Sequence, residues 1–88
     1  MDKENKQLLE NVFDSLDRLF DRQNCVIDVY HLILATEKAI GESVANISLA
    51  GYADKLGKIV RENKSEEIQL EKALGATNRL REILNDIL

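Results

Sequence analysis

The chain has 88 residues, 44% hydrophobic and 32% charged, with 16 acidic and 12 basic side chains and a net charge of −4. That length supports one compact domain over residues 1–88, and that balance excludes a disordered chain. An acidic chain without a basic stripe is excluded as a binder of nucleic-acid phosphates, and anionic membrane surfaces are disfavoured for the same reason.

Proline is absent and only four glycines are present. Long helices are therefore uninterrupted, and a many-stranded sandwich or barrel would lack its turns. The chain starts Met-Asp-Lys-Glu-Asn-Lys, without an apolar signal region, and Cys25 is its single cysteine. No intramolecular disulfide or cysteine metal cluster can form, so the expectation is a cytoplasmic protein with Cys25 as a small buried or half-buried filler.

The first helix is predicted from about Lys3 to Gln23. Leu9, Phe13, Leu16 and Phe20 mark its apolar seam, widened by Val12 and Leu19. On the same helix Glu10, Asp14, Asp17 and Asp21 are spaced four, three and four residues apart. At about 100° per residue all four fall within roughly a 60° arc. Glu10 with Asp14, and Asp17 with Asp21, are like charges one turn apart, each costing on the order of 0.2–0.5 kcal/mol. Lys6 can offset Glu10, and Arg18 can offset Asp14 and Asp21, but the position four after Asp17 is Asp21 itself. Residues 1–28 hold seven acids and four bases, a net of −3, against nine acids and eight bases over residues 29–88, a net of −1. Negative charge is thus concentrated at the N-terminal end, which points to a basic partner.

Asn24 and Cys25 form a break before a second helix. Asp28 can cap it, or it can start a turn earlier, and it ends at Ile40 before Gly41. Its core stripe is Val29, Leu32, Ile33, Thr36 and Ile40. A second apolar group, Ile27, Tyr30, His31 and Leu34, lies on nearly the opposite side. Either the bundle wraps this helix or part of that face is exposed as an interaction site.

Ser43 is the expected N-cap of a third helix, Val44 to Glu62, with Ala45, Leu49, Tyr52, Leu56, Ile59 and Val60 inward. Gly51 and Gly57 weaken it by roughly 1 kcal/mol each, which leaves a kink or split near Gly51 open. Asn63-Lys-Ser-Glu66 reads as a capping box for a fourth helix. Ala73, Ala76, Leu80, Ile83 and Ile87 form its stripe, with Leu70, Thr77 and Leu84 beside them. Together these segments predict an all-α protein, a compact antiparallel bundle of four helices.

No catalytic constellation accompanies the helices. His31 is the single histidine, so neither a His-containing triad nor a two-His zinc site can be completed, and a half-buried structural or interface role fits it. No glycine-rich phosphate loop is present. Glu66-Glu67 followed by Glu71 approaches the Glu-Glu-x-x-Glu of magnesium-dependent all-α nucleotide hydrolases with one residue too many, and Glu82 to Asp86 is likewise one longer than Glu-x-x-Asp. The chain is read as no enzyme, with no cofactor or metal.

In length, acidity and helix count the chain resembles the immunity proteins that bacteria make against their own nuclease toxins. The Asp-x-x-Tyr-Tyr-Pro motif of the colicin DNase group is missing, since the surroundings of Tyr52 read Ala-Gly-Tyr-Ala-Asp. The resemblance implies a protein that plugs a cationic nuclease cleft with an acidic rim around an aromatic anchor. The rim is expected at Glu10, Asp14, Asp17, Asp21 and Asp28, and the anchors at Tyr30 and Leu34. A second reading is a homodimeric structural or adaptor protein joined through Ile27, Tyr30 and Leu34. A third is the magnesium-dependent hydrolase.

Overall fold

The computed structural model describes residues 3–40 and 48–88. Its four helices are α1 (Lys3–Phe20), α2 (Val26–Ile40), α3 (Leu49–Glu62) and α4 (Glu66–Ile87), and no strand occurs among the described residues. The all-α four-helix bundle expected from the periodicity is the fold.

Each boundary has a local cause. α1 stops three residues before Gln23 because the chain turns left-handed at Arg22, whose φ is 62°. The Gln23 N–H donates to the Arg18 carbonyl at 2.7 Å, and the Arg22 N–H donates to the Leu19 carbonyl at 3.1 Å. This is a Schellman closure with arginine where glycine is usual. α2 starts before Asp28: the Cys25 carbonyl accepts from the Asp28 and Val29 N–H groups at 3.1 and 3.3 Å, so Asp28 sits in the first turn rather than at the cap.

α3 is capped by Ser48, whose Oγ accepts from the Gly51 N–H at 3.3 Å. The expected cap Ser43, with Val44 and Ala45, lies outside the described residues. Gly51 therefore falls in the first turn, and the helix continues through Gly57 to Glu62. α4 is capped by Ser65, whose Oγ accepts from the Ile68 N–H at 3.4 Å. The Asn63–Glu66 capping box does not form, because Asn63 closes α3 instead. Its Nδ2 donates to the Ile59 carbonyl at 2.9 Å, its Oδ1 accepts from Lys72 Nζ at 3.2 Å, and its carbonyl accepts from Gln69 Nε2 at 2.5 Å.

One end of the bundle gathers the close of α1, the start of α2 and the start of α4, where Leu19, Val26 and Leu70 line a shared cleft. α2 packs against all three other helices, whereas the backbones of α1 and α3 do not approach each other closely among the described residues. The core joins Leu9, Val12, Leu16 and Leu19 of α1 to Val26, Val29 and Ile33 of α2, Leu49, Ala53 and Leu56 of α3, and Ala73, Leu80 and Leu84 of α4. Burial of each leucine contributes on the order of 1.5–3 kcal/mol.

Two seams are rotated from their sequence reading. On α1 the buried stripe is centred on Val12, Leu16 and Leu19, about 50° round from the expected seam; Phe13 becomes half-buried and Phe20 is 57% exposed. On α4 the fully buried positions are Ala73, Thr77, Leu80 and Leu84, with Ala76, Ile83 and Ile87 only half-covered. Thr77 fits this setting because its hydroxyl donates to the Ala73 carbonyl at 2.8 Å.

Candidate interaction surface on helix α1

The rotation of α1 decides where its acids point. The arc holding Glu10, Asp14, Asp17 and Asp21 is centred about 150° from the buried stripe, close to the solvent side of the helix. Asp14 and Asp21 are exposed, and Glu10 and Asp17 are half-exposed. Asp14 Oδ2 pairs with Arg18 Nη2 at 3.1 Å, one turn on. Among the described residues Glu10 makes no ion pair with Lys6, and Asp21 makes none with Arg18.

Asp17 does have a basic partner, one that local spacing could not reveal. Arg81 of α4 donates to Asp17 Oδ1 through Nη2 at 2.6 Å and Nε at 2.8 Å. The same guanidinium lies over the Phe20 ring, 4.9 Å from its centroid. The side chains of Arg81 and Asp17 are 37% and 39% exposed, so their attraction is screened and contributes within the ~0.2–1 kcal/mol of surface pairs. The stacked ring adds about 0.5–1 kcal/mol. Together they fasten α1 to α4 and set Phe20 beside a cation, with more than half of its surface open. Phe20 was expected in the core; it stands at the edge of the acidic arc instead.

The residues expected from α2 do not extend this surface. Tyr30 is half-buried and packs on α3: a Cβ built at Gly57 would sit 3.1 Å from the Tyr30 ring. Tyr30 therefore faces α3. Leu34, one turn on, is half-buried on the same flank. Asp28 is exposed on the outer side of α2. The second apolar group of α2 is therefore divided: Tyr30 and Leu34 pack against the core, while Ile27, 42% exposed, and His31 face solvent. His31 contacts the Tyr30 ring at 5.4 Å between centroids, and is exposed rather than half-buried.

A cleft of about 370 Å³ lies between the α1–α2 turn and the first turn of α4. Arg22 crosses its rim to Glu67 at 3.2 Å, which occupies one of the carboxylates considered for magnesium. Cys25 is exposed there rather than filling the core. Asn24 Nδ2 ties the turn back to α1 by donating to the Ser15 carbonyl and hydroxyl at 3.2 and 3.0 Å, while its buried Oδ1 has no partner. Among the described residues no group of three or more His, Cys, Asp or Glu side chains is placed to hold a metal ion. None of their helices is long and apolar enough to cross a membrane.

Comparison with protein-family models, curated proteins and solved structures gives no match.

Proposed function

We propose that the chain is a small acidic binding protein that docks a basic protein partner through the solvent face of α1. The observation that carries this reading is Phe20, an aromatic ring 57% exposed at the edge of an arc in which Glu10 and Asp21 have no basic partner among the described residues. Unpaired carboxylates attract and orient a cationic surface. An exposed ring then supplies apolar area that is covered only on binding. Its contact with the Arg81 guanidinium favours one orientation, which lowers the ordering entropy lost on binding. Phe20 takes the anchor role that the sequence suggested for Tyr30 and Leu34, which are both half-buried against the core.

The specific form of the proposal is a cytoplasmic immunity protein that inhibits a bacterial nuclease toxin. A nuclease needs a cationic cleft for phosphates, and the spaced carboxylates of Glu10, Asp14 and Asp21 imitate that charge. No chemical step is assigned to the chain. The test is to read the neighbouring gene for a basic nuclease domain and to follow that domain's stopped-flow association with the chain at low and high salt. The association rate should fall steeply with salt, and Asp14→Lys with Asp21→Lys should slow it at least tenfold. Phe20→Ala should act mainly on dissociation. A salt-independent rate unaffected by both charge reversals would refute the proposal, as would a neighbouring gene product that is not a basic nuclease for its specific form.

A further inference from the structure

The turn between α1 and α2 lacks the residues that usually end one helix and start the next. Residues 21–25, Asp-Arg-Gln-Asn-Cys, include neither glycine nor proline, and all five have ordinary helix propensity. Cys25, the residue before α2, is a poor cap. The turn is closed at a local cost instead. Arg22 is held at φ 62°, where a side chain is disfavoured, and Asn24 Oδ1 is buried without a hydrogen-bond partner. The hydrogen bonds from Asn24 Nδ2 to Ser15 and the exposed Arg22–Glu67 pair hold it, together with the packing of α1 on α2 and α4.

The buried residues keep one register through this turn. Val12, Leu19, Val26 and Ile33 belong to the core and follow one another at intervals of seven. Two helices joined by a turn need share no register, because each packs by its own face. On one continuous helix these four residues would lie within about 60°, as a single apolar stripe. Such a helix, over residues 3–40, satisfies the backbone of residues 21–25 in the ordinary way and returns Arg22 to a helical φ. It cannot fold back on itself, so its α1 half packs on α2 and α4 of another copy.

We propose that the α1–α2 turn is a hinge through which two copies exchange α1. In the exchanged dimer α1 and α2 of each copy form one helix, and each α1 fills the place of the other copy's α1. Its core contacts are recovered from the second copy, so the two forms differ chiefly at the turn. Each α1 half then meets the other copy's α2 half, and the shared stripe lets one side of the long helix serve both. A short hinge under strain is the arrangement that favours such exchange. The solvent face of α1 stays outward in either form, so the proposal does not rest on the reading of a basic partner.

Exchange needs the bundle to open, so the full chain is refolded from urea at micromolar and at millimolar concentration and followed by sedimentation velocity. The first should give monomer and the second a dimer. Spin labels at Lys6→Cys and Lys38→Cys, both exposed positions, are placed in a Cys25→Ala chain and diluted with unlabelled chain, so that they read the distance within one copy. On one continuous helix that distance is about 48 Å, beyond the 38 Å longest extent of the single chain. Arg22→Gly eases the left-handed turn and weakens a continuous helix. With two hinges per dimer it should raise the dissociation constant about a hundredfold and keep the circular dichroism spectrum of a folded chain. A chain that stays monomeric after millimolar refolding, a dimer whose labels keep the single-chain distance, or a dimer that forms equally well from Arg22→Gly would overturn the proposal.

Discussion

Gly57 gives the sharpest test of how α2 and α3 pack. Glycine inside a helix costs roughly 0.8–1 kcal/mol against alanine, so Gly→Ala stabilises wherever the new methyl has room. Gly75 of α4 is exposed, and a Cβ there meets nothing within 4 Å. Gly57 is buried, and its Cβ would lie 3.1 Å from Tyr30 Cε1, 3.3 Å from Cζ and 3.1 Å from Arg61 Nη1. The end of Arg61 can swing away at little cost, but the half-buried Tyr30 ring must move by a few tenths of an ångström against its own packing. Overpacking of this kind costs about 1–3 kcal/mol. Gly75→Ala should therefore stabilise by about 0.8–1 kcal/mol, while Gly57→Ala should fall between neutral and about 2 kcal/mol destabilising once its own helix gain is subtracted. Urea unfolding followed by circular dichroism reads both. Adding Tyr30→Leu should improve Gly57→Ala specifically, as a coupling between neighbours. If Gly57→Ala stabilised as much as Gly75→Ala, the contact between Tyr30 and Gly57 would be wrong, and with it the placement of Tyr30 against α3.

Three further outcomes follow from the same structure. Arg22→Gly should be about 1 kcal/mol more stable than Arg22→Ala, because both lose the exposed pair with Glu67 and only glycine adopts φ 62° without strain; equal stabilities in urea unfolding would deny the left-handed turn. Arg81→Ala should cost about 1 kcal/mol, and a double-mutant cycle with Asp17→Ala should show a coupling of roughly 0.2–1 kcal/mol that weakens at high salt. Ser65→Ala should cost about 0.5–2 kcal/mol by removing the cap of α4; a change within error would return the capping role to Asn63.

The sequence carried the number and order of helices because apolar residues recur at helical spacing without proline or enough glycine to interrupt them. Helix ends were less legible, and for identifiable reasons. Arg22 gives no composition signal for a left-handed turn, since its conformation is imposed by the closure over Arg18 and Leu19. Asn63 and Ser65 are both capable caps, and the choice depends on contacts from Ile59, Gln69 and Lys72 across two helices. The acidic arc was readable as an angular pattern, but its surroundings were not. A turn of about 50° in the buried stripe moved Phe20 from core to surface, and the partner of Asp17 is 64 residues away in the chain. Tyr30 and Leu34 could be read as apolar and off the main stripe of α2. That Tyr30 would pack on Gly57 of α3, and that both would end half-buried, depends on the arrangement of the bundle.

The solvent face of α1 is proposed to meet a basic partner. Amide chemical shifts of the isotope-labelled chain, followed during titration with a basic protein that binds it, test this most directly. The largest changes should fall on Glu10, Asp14, Asp17, Phe20 and Asp21, with the interior of α3 undisturbed. Changes centred on Tyr30, Leu34 and α3, with α1 silent, would contradict it.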